Sequence, residues 1–352
     1  LKEFLYFSEI ITLKRQGVFV SDNIQIQLAS FPDGIPEPEH FAIVTVPVEP
    51  IADGQVLCET LYLSLDPYMR SQIAGRHMSG SVLVGDVMKG ETVSRVVESK
   101  TSEFKAGDIV RCFAGWQKYS IHNAAELFPV DPNIKPLSYA LSALGMTGLT
   151  AYAGMIWQAK VKPGDIVVIP AAIGGVGATA GQLAKIHGCK VIGIAGTDEK
   201  CLYAVKELGY DACINRKKEN VAERLDELCP KGVDVFFDLV GGEILHLVSE
   251  RLAVGARVIL CGLMAEYNKE TRAAGPPPGN WIKARAIVYG LVVYDFESRR
   301  DEFIAACLSY VIDGRLKMPE DKAVGLEAAP DAFCRLMRGE NMGKAVVDVA
   351  VI

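Results

Sequence analysis

Eight residues, Pro170-Ala171-Ala172-Ile173-Gly174-Gly175-Val176-Gly177, have the composition of a turn that grips a diphosphate. They lie between a short apolar run, Ile166 to Pro170, and a helical pattern from Val176 to His187. In that setting Gly174 is expected to make the sharp strand-to-helix turn. Gly175 or a neighbour would leave the backbone bare for phosphate oxygens, and Gly177 would let the helix lie close to the sheet. The first helical turn then offers free N–H groups and the positive end of its dipole to the anion. A glycine string alone marks any tight turn. The flanking strand and helix are what point this one toward a dinucleotide.

The following strand should select the nucleotide. An NAD site carries Asp or Glu at the end of its second strand, to hold the ribose 2′-hydroxyl. Here Val191 to Ala195 runs into Gly196-Thr197, small neutral residues that leave room for a 2′-phosphate. Lys200 and Arg216 follow as cations that would pair with it, so NADPH is the expected cofactor. Asp198, one turn late, is the competing ribose acid, and both cations also fit the description of ordinary solvated side chains. No metal is expected. The five histidines, His40, His77, His122, His187 and His246, show no ligand spacing, and no two of the nine cysteines lie closer than twelve positions.

These groups need elements to position them. From about Leu141 onward the sequence alternates apolar strands (Ile166 to Pro170, Val191 to Ala195, Val233 to Val240, Arg257 to Cys261) with helices (Val176 to His187, Asp198 to Leu208, Ile244 to Leu252). Strands without polar alternation, separated by helices, predict a parallel sheet covered on both faces: a doubly wound, Rossmann-type α/β fold. Ala286 to Val293 reads as its last strand. Residues before about 140 read as irregular β structure, as in Phe41 to Val48, Val56 to Leu63 and Ile109 to Phe113. A closing helix, Ala329 to Met337, and strand, Lys344 to Val349, form a tail that returns to this first unit. The expected division is 23–140 with 314–352 as a β-rich, GroES-like substrate domain and 141–313 as the nucleotide domain. Residues 1–22 read as an extension of unknown role.

Composition narrows the partners. The 352-residue chain has a formal charge of -6, which supplies neither a basic face for nucleic acid nor a polybasic patch for lipid. No run of about 18 apolar residues is free of charge or glycine, so no membrane span is expected. Scattered, odd-numbered cysteines suggest reduced thiols and a cytoplasmic setting.

Several strings, in order, carry a family resemblance over nearly all of Gln25 to Val349. They are Leu63-Ser64-Leu65-Asp66-Pro67-Tyr68-Met69-Arg70, Leu144 to Tyr152, the glycine turn, Gly196 to Lys200, and Asp238-Leu239-Val240-Gly241-Gly242. Cys261-Gly262 with Tyr267-Asn268, Gly275-Pro276-Pro277-Pro278, Val292-Val293-Tyr294 and Gly339 to Lys344 complete the set. The chain resembles the zinc-free medium-chain dehydrogenases/reductases, the group of prostaglandin reductases, plant double-bond reductases and bacterial curcumin reductase. The resemblance implies that Lys200 binds the 2′-phosphate and that Met146 and Thr147 line the cofactor cleft. It implies that Tyr267 contacts the nicotinamide ribose and faces substrate, that Asn341 binds the nicotinamide end, and that Tyr68 stands in the substrate pocket. Cys261 and Val293, within matching strings, join the cofactor-binding set with Gly174, Gly175, Val176, Gly177 and Arg216. Relatives often have Tyr where this chain has Asn215-Arg216, so a different donor would meet the phosphate. Residues 60 to 70 lack the Cys and His of zinc-dependent relatives, and Gly90-Glu91-Thr92 replaces their Gly-His-Glu. The group also implies a homodimer, paired at the edge of the cofactor sheet.

The implied activity is NADPH-dependent saturation of the double bond of an α,β-unsaturated ketone or aldehyde. Conjugation makes the β-carbon electrophilic and sends the developing charge to oxygen, so the protein must orient the nicotinamide and stabilise an enolate. Tyr267 and Tyr68 are the candidate catalytic donors; elsewhere such rings simply pack. Asp66 and Arg70 read as a structural pair holding their loop, and Glu91 receives no role. A quinone reductase on the same fold and a non-catalytic NADPH-binding protein are the competing readings. The loop Ala273 to Trp281 is expected to border the pocket and set its size.

Overall fold

The computed structural model describes residues 22–269, 271 and 274–350. The expected extension, residues 1–22, falls outside them except for Asp22, which opens the first strand. That strand, β1 (Asp22–Leu28), pairs antiparallel with β2 (Phe41–Pro47) as a two-stranded ribbon. Then come β3 (Gln55–Ser64), the short helix α1 (Met69–Gln72), β4 (Thr92–Ser99), β5 (Ile109–Cys112), β6 (Tyr119–Asn123) and β7 (Phe128–Pro129).

The alternating half begins with α2 (Met146–Tyr152) and continues as β8 (Ile166–Pro170), α3 (Gly175–Ile186), β9 (Lys190–Ala195), α4 (Asp198–Lys206) and β10 (Ala212–Asn215). It goes on through α5 (Val221–Leu228), β11 (Val233–Asp238), α6 (Gly242–Ser249), β12 (Leu252–Leu260), α7 (Pro278–Ala284), β13 (Ile287–Gly290) and α8 (Arg300–Ile312). The chain closes with β14 (Glu320–Val324), α9 (Ala329–Arg338) and β15 (Lys344–Asp348).

Strands β10-β9-β8-β11-β12-β13 form one six-stranded parallel sheet, the Rossmann-type order. Its strands are apolar on both faces because helices cover both. Val167, Val168, Ile169, Phe236 and Phe237 are fully buried, and one such side chain contributes roughly 1.5–3 kcal/mol on burial. Two expectations shift. Helix α6 stops at Ser249 because Leu252 already pairs with Val233 at the head of β12, before a bulge. The last strand is only Ile287–Gly290, and Val293 opens a 3-10 turn instead.

A second, seven-stranded mixed sheet runs β14-β15-β3-β4-β5-β7, with β6 on β3. The C-terminal β15 pairs antiparallel with β3, Val346 opposite Ser64. Helix α9 is amphipathic, and its Phe333 packs edge-on against Trp116 and Phe41 (centroids 5.6 and 6.0 Å), which stack on each other at 5.7 Å. The β1–β2 ribbon, α9 and β15 therefore share one core, and the segment between α9 and β15 is carried to the cavity beside the parallel sheet.

Candidate active site

Between the two sheets lies a cavity of about 1240 Å³. Its lining includes Met146, Thr147, Gly174, Gly175, Val176, Gly177, Lys200, Arg216, Cys261, Val293 and Asn341, together with Tyr68 and Tyr267. All thirteen of these expected cofactor and catalytic residues therefore face one space, although they come from elements spread over most of the chain.

The floor is the turn after β8. Its left-handed residue is Ala171 (φ 52°), whereas Gly174 has an ordinary φ of -68° and caps α3. The sharp turn is thus made three residues earlier than expected. Gly177 has the expected reason to be glycine: a Cβ there would stand 2.3 Å from the Ala171 carbonyl oxygen. The space at Gly175 serves protein atoms instead, since its Cβ would meet Lys344 Cδ at 2.7 Å and Thr147 Cγ2 at 3.1 Å. The residues that open α3, Gly175, Val176 and Gly177, line the cavity, and the first turn of a helix carries the free amides an anion site requires.

At the end of β9, Thr197 caps α4 by accepting the Lys200 amide (3.2 Å). Arg216 Nη2 and Lys217 Cε lie 3.8 and 3.7 Å from where a Gly196 Cβ would be. Lys217 and Arg338 line this end as well, cations that the sequence reading did not single out. Asp198, the competing ribose acid, points elsewhere. It accepts from Asn215 Nδ2 (2.6 Å) and pairs with Lys218, which holds its carboxyl below the usual range. Burial, with Lys217 and Arg216 nearby, lowers the Lys200 ammonium, whose Nζ donates to the Gly339 carbonyl at 2.7 Å.

The middle of the cleft is held by main-chain contacts. Thr147 Oγ1 donates to Ser142 O (3.0 Å), and the Cys261 amide donates to Asp238 O (3.0 Å). The Asp238 carboxylate accepts the Val240 and Gly241 amides, each at 3.0 Å, and burial pushes it up to about 6. Burial pushes the Cys261 thiol up to about 12, so it is a neutral wall and no nucleophile.

The opposite end carries phenols. The Tyr68 ring lies 4.9 Å from the His77 ring, and burial raises its hydroxyl well above 10. Tyr267 Oη accepts the Leu263 amide at 3.3 Å, and Arg76 Nη2 donates to the Tyr267 carbonyl at 3.1 Å. Tyr294, with a hydroxyl raised by burial, lines the same end together with His77 and Met78. It stood in a resembling string but carried no role of its own. From the loop expected to border the pocket, Ala274 lines it, whereas Pro278 onward is helix; Ala273 lies outside the described residues.

Asp66 and Arg70 are not partners, contrary to expectation. Asp66 accepts from Ser64 Oγ and pairs with buried Lys344 (3.2 Å), whose Nζ also donates to Leu65 O (2.6 Å) and Ala345 O (2.9 Å). Arg70 leaves on the other side of the turn, donating to Gly34 O (2.7 Å) and Pro32 O (3.3 Å). Glu91 lies outside the cavity lining, buried against Arg111.

A parallel sheet whose first glycine turn opens on a cationic pocket, faced by protonated phenols, is the architecture of a nucleotide-dependent oxidoreductase. Comparison with known proteins agrees. Residues 24–130 match the family described as the N-terminal domain of oxidoreductase, and residues 175–308 the one described as zinc-binding dehydrogenase. Among the described residues no three His, Cys, Asp or Glu side chains converge as a metal site. The chain is 39% identical over 330 residues to NADPH-dependent curcumin reductase of Escherichia coli (strain K12), covering 92% of this chain and 96% of the relative. It is 41% identical over 320 residues to prostaglandin reductase 1 of Bos taurus, covering 89% and 95%. The crystal structure of CurA from Vibrio vulnificus in complex with NADPH superposes with a TM-score of 0.89 at 38% identity, over 94% of this chain and 100% of that one. The chain belongs to the medium-chain dehydrogenase/reductase family, in its zinc-free group of curcumin and prostaglandin reductases.

Proposed function

We propose that the protein is an NADPH-dependent, zinc-independent reductase of the carbon–carbon double bond of α,β-unsaturated ketones and aldehydes. One observation carries the reading: a single cavity joins helix-N-terminal amides and a cation cluster at one end to protonated phenols at the other. The residues present fit the cofactor. The opening of α3 with Gly174, Gly175, Val176 and Gly177 would hold the diphosphate, and Lys200 and Arg216, joined by Lys217 and Arg338, the 2′-phosphate. Met146, Thr147, Cys261, Val293, Tyr267 and Asn341 would line the ribose and nicotinamide.

Bound NADPH supplies the hydride. The chain's own task is to hold the enone with its β-carbon toward the nicotinamide and its oxygen toward a hydrogen-bond donor. Tyr267 and Tyr68 are the proposed donors. The Tyr68 phenol, raised by burial, stays protonated at neutral pH, and either phenol in its protonated form can donate to the enolate oxygen and pass a proton to the α-carbon. One such donor contributes roughly 3 kcal/mol, about a hundredfold in rate.

Residues 23–140 with 314–352 are proposed as the substrate domain and 141–313 as the cofactor domain. The exposed edge of β13, with Ile282 and Ile287 beside it, is the proposed seat of a homodimer. A cytoplasmic setting suits nine free cysteines, and no described helix is long and apolar enough to cross a membrane. The deciding assay follows NADPH oxidation against matched enones, enals and quinones, with NADH as control. Turnover of enones with NADPH preferred is the expected result. Turnover of quinones alone would overturn the reading in favour of a quinone reductase, and tight NADPH binding without any turnover would leave a binding protein.

A further inference from the structure

We infer that Lys200 is a positioning residue for the far wall of the cleft: its ammonium latches the C-terminus of α9 and so sets the segment that carries Asn341. The inference rests on the reading of this cleft as an NADPH site.

The contact joins positions 139 residues apart. Lys200 Nζ donates to Gly339 O at 2.7 Å, from the first turn of α4 to the cap of α9. The base of the lysine is fixed by its own amide on Thr197 Oγ1. Its target is favourable, because Gly339 (φ 69°) ends α9 and its carbonyl belongs to the electronegative pole of that helix.

The segment between α9 and β15 is firmly held at its far end. The Lys344 amide donates to Pro319 O (2.8 Å), the Met342 amide donates to Asp321 Oδ2 (2.8 Å), and a Cβ on Gly343 would stand 2.2 Å from Pro319 O. At the near end, Arg338 makes exposed ion pairs with Glu37 and Glu340, both 3.2 Å, a type of contact that contributes little. Lys200 supplies the contact there from the opposite side of the cleft. Arg338, Gly339, Asn341 and Gly343 all line the cavity, so the latch sets the shape of the cavity as well as its charge.

An ammonium has three N–H donors. One on Gly339 O leaves two for a 2′-phosphate, so the same group reads the phosphate and holds the wall at once. Loss of Lys200 must therefore harm the use of NADH, which has no 2′-phosphate to lose.

The test compares wild type, Lys200→Met and Arg216→Met. The last removes a cation from the same pocket end that makes no bond to α9. Two readouts are needed: kcat and KM for one enone with NADPH and with NADH, and amide hydrogen exchange of residues 339–343 in cofactor-free protein. Arg216→Met should raise KM for NADPH and leave the exchange rate of residues 339–343 as in wild type. Lys200→Met should raise KM for NADPH, lower kcat/KM with NADH by at least about tenfold, as loss of one charge-assisted hydrogen bond implies, and speed exchange in 339–343. Wild-type values for Lys200→Met in either the NADH kinetics or the exchange would overturn the latch while leaving enone reduction intact. A wild-type protein that turns over no enone would instead overturn the functional reading, and the exchange comparison would still decide the latch.

Discussion

The two ends of the cleft are built from different materials. At the proposed diphosphate end the groups on offer are main-chain amides, and the side chains that matter are absences: Gly177 lets α3 pass the Ala171 carbonyl. At the proposed substrate end stand phenols from three distant places, Tyr68 at the head of α1, Tyr267 after β12 and Tyr294 before α8. Backbone sites are set by local sequence and tolerate few changes. Side-chain sites are set by tertiary packing and can be retuned residue by residue, which is how one scaffold serves many substrates.

Lys344 touches both ends, with its stem against Gly175 and its ammonium on Asp66 and Leu65, so the largest effect is expected there. Lys344→Met leaves Asp66 buried and unpaired, and should cost about 3–5 kcal/mol in denaturant unfolding. Adding Asp66→Asn should recover part of that loss; an additive double variant would show that the pair does not join the walls. Tyr267→Phe tests the substrate end alone. It should lower kcat roughly a hundredfold with NADPH affinity nearly unchanged, and wild-type turnover would remove Tyr267 from the chemistry. Gly177→Ala tests the other end: displaced amides should weaken NADPH binding about tenfold, in line with a 1–3 kcal/mol overpacking cost, as read by fluorescence titration. Unchanged affinity would mean that α3 yields freely. The smallest effect concerns pH. Burial raises the phenol of Tyr68, so it stays a protonated donor below its raised value and is lost only as pH climbs past it. The kcat profile should be flat from about pH 7 to 9; a fall through pH 8 would point to a different donor.

What the sequence made legible follows the same division. The strand Ile166–Pro170 was readable to the residue, because a short apolar run bounded by a glycine turn leaves little choice. Strands β1 and β14 were not, because DNIQIQL and EDKAV are polar ribbon or edge segments whose partners lie far away in sequence. Lys217 and Arg338 entered the cation cluster unseen, since a solvated lysine and a pocket lysine look alike until the chain is folded. The proximity of Asp66 and Arg70 in sequence suggested a bond that the turn at Tyr68 forbids, because it sends one side chain toward β15 and the other toward Gly34.

In the proposed reaction the cleft delivers hydride to the β-carbon of the enone and not to its carbonyl carbon. Deuterium at C4 of the reduced nicotinamide makes that visible. Incubation of the protein with the deuterated NADPH and a simple enone, followed by NMR of the product, should place the label on the former β-carbon of a saturated ketone. A label on a carbinol carbon, with the double bond intact, would contradict the account.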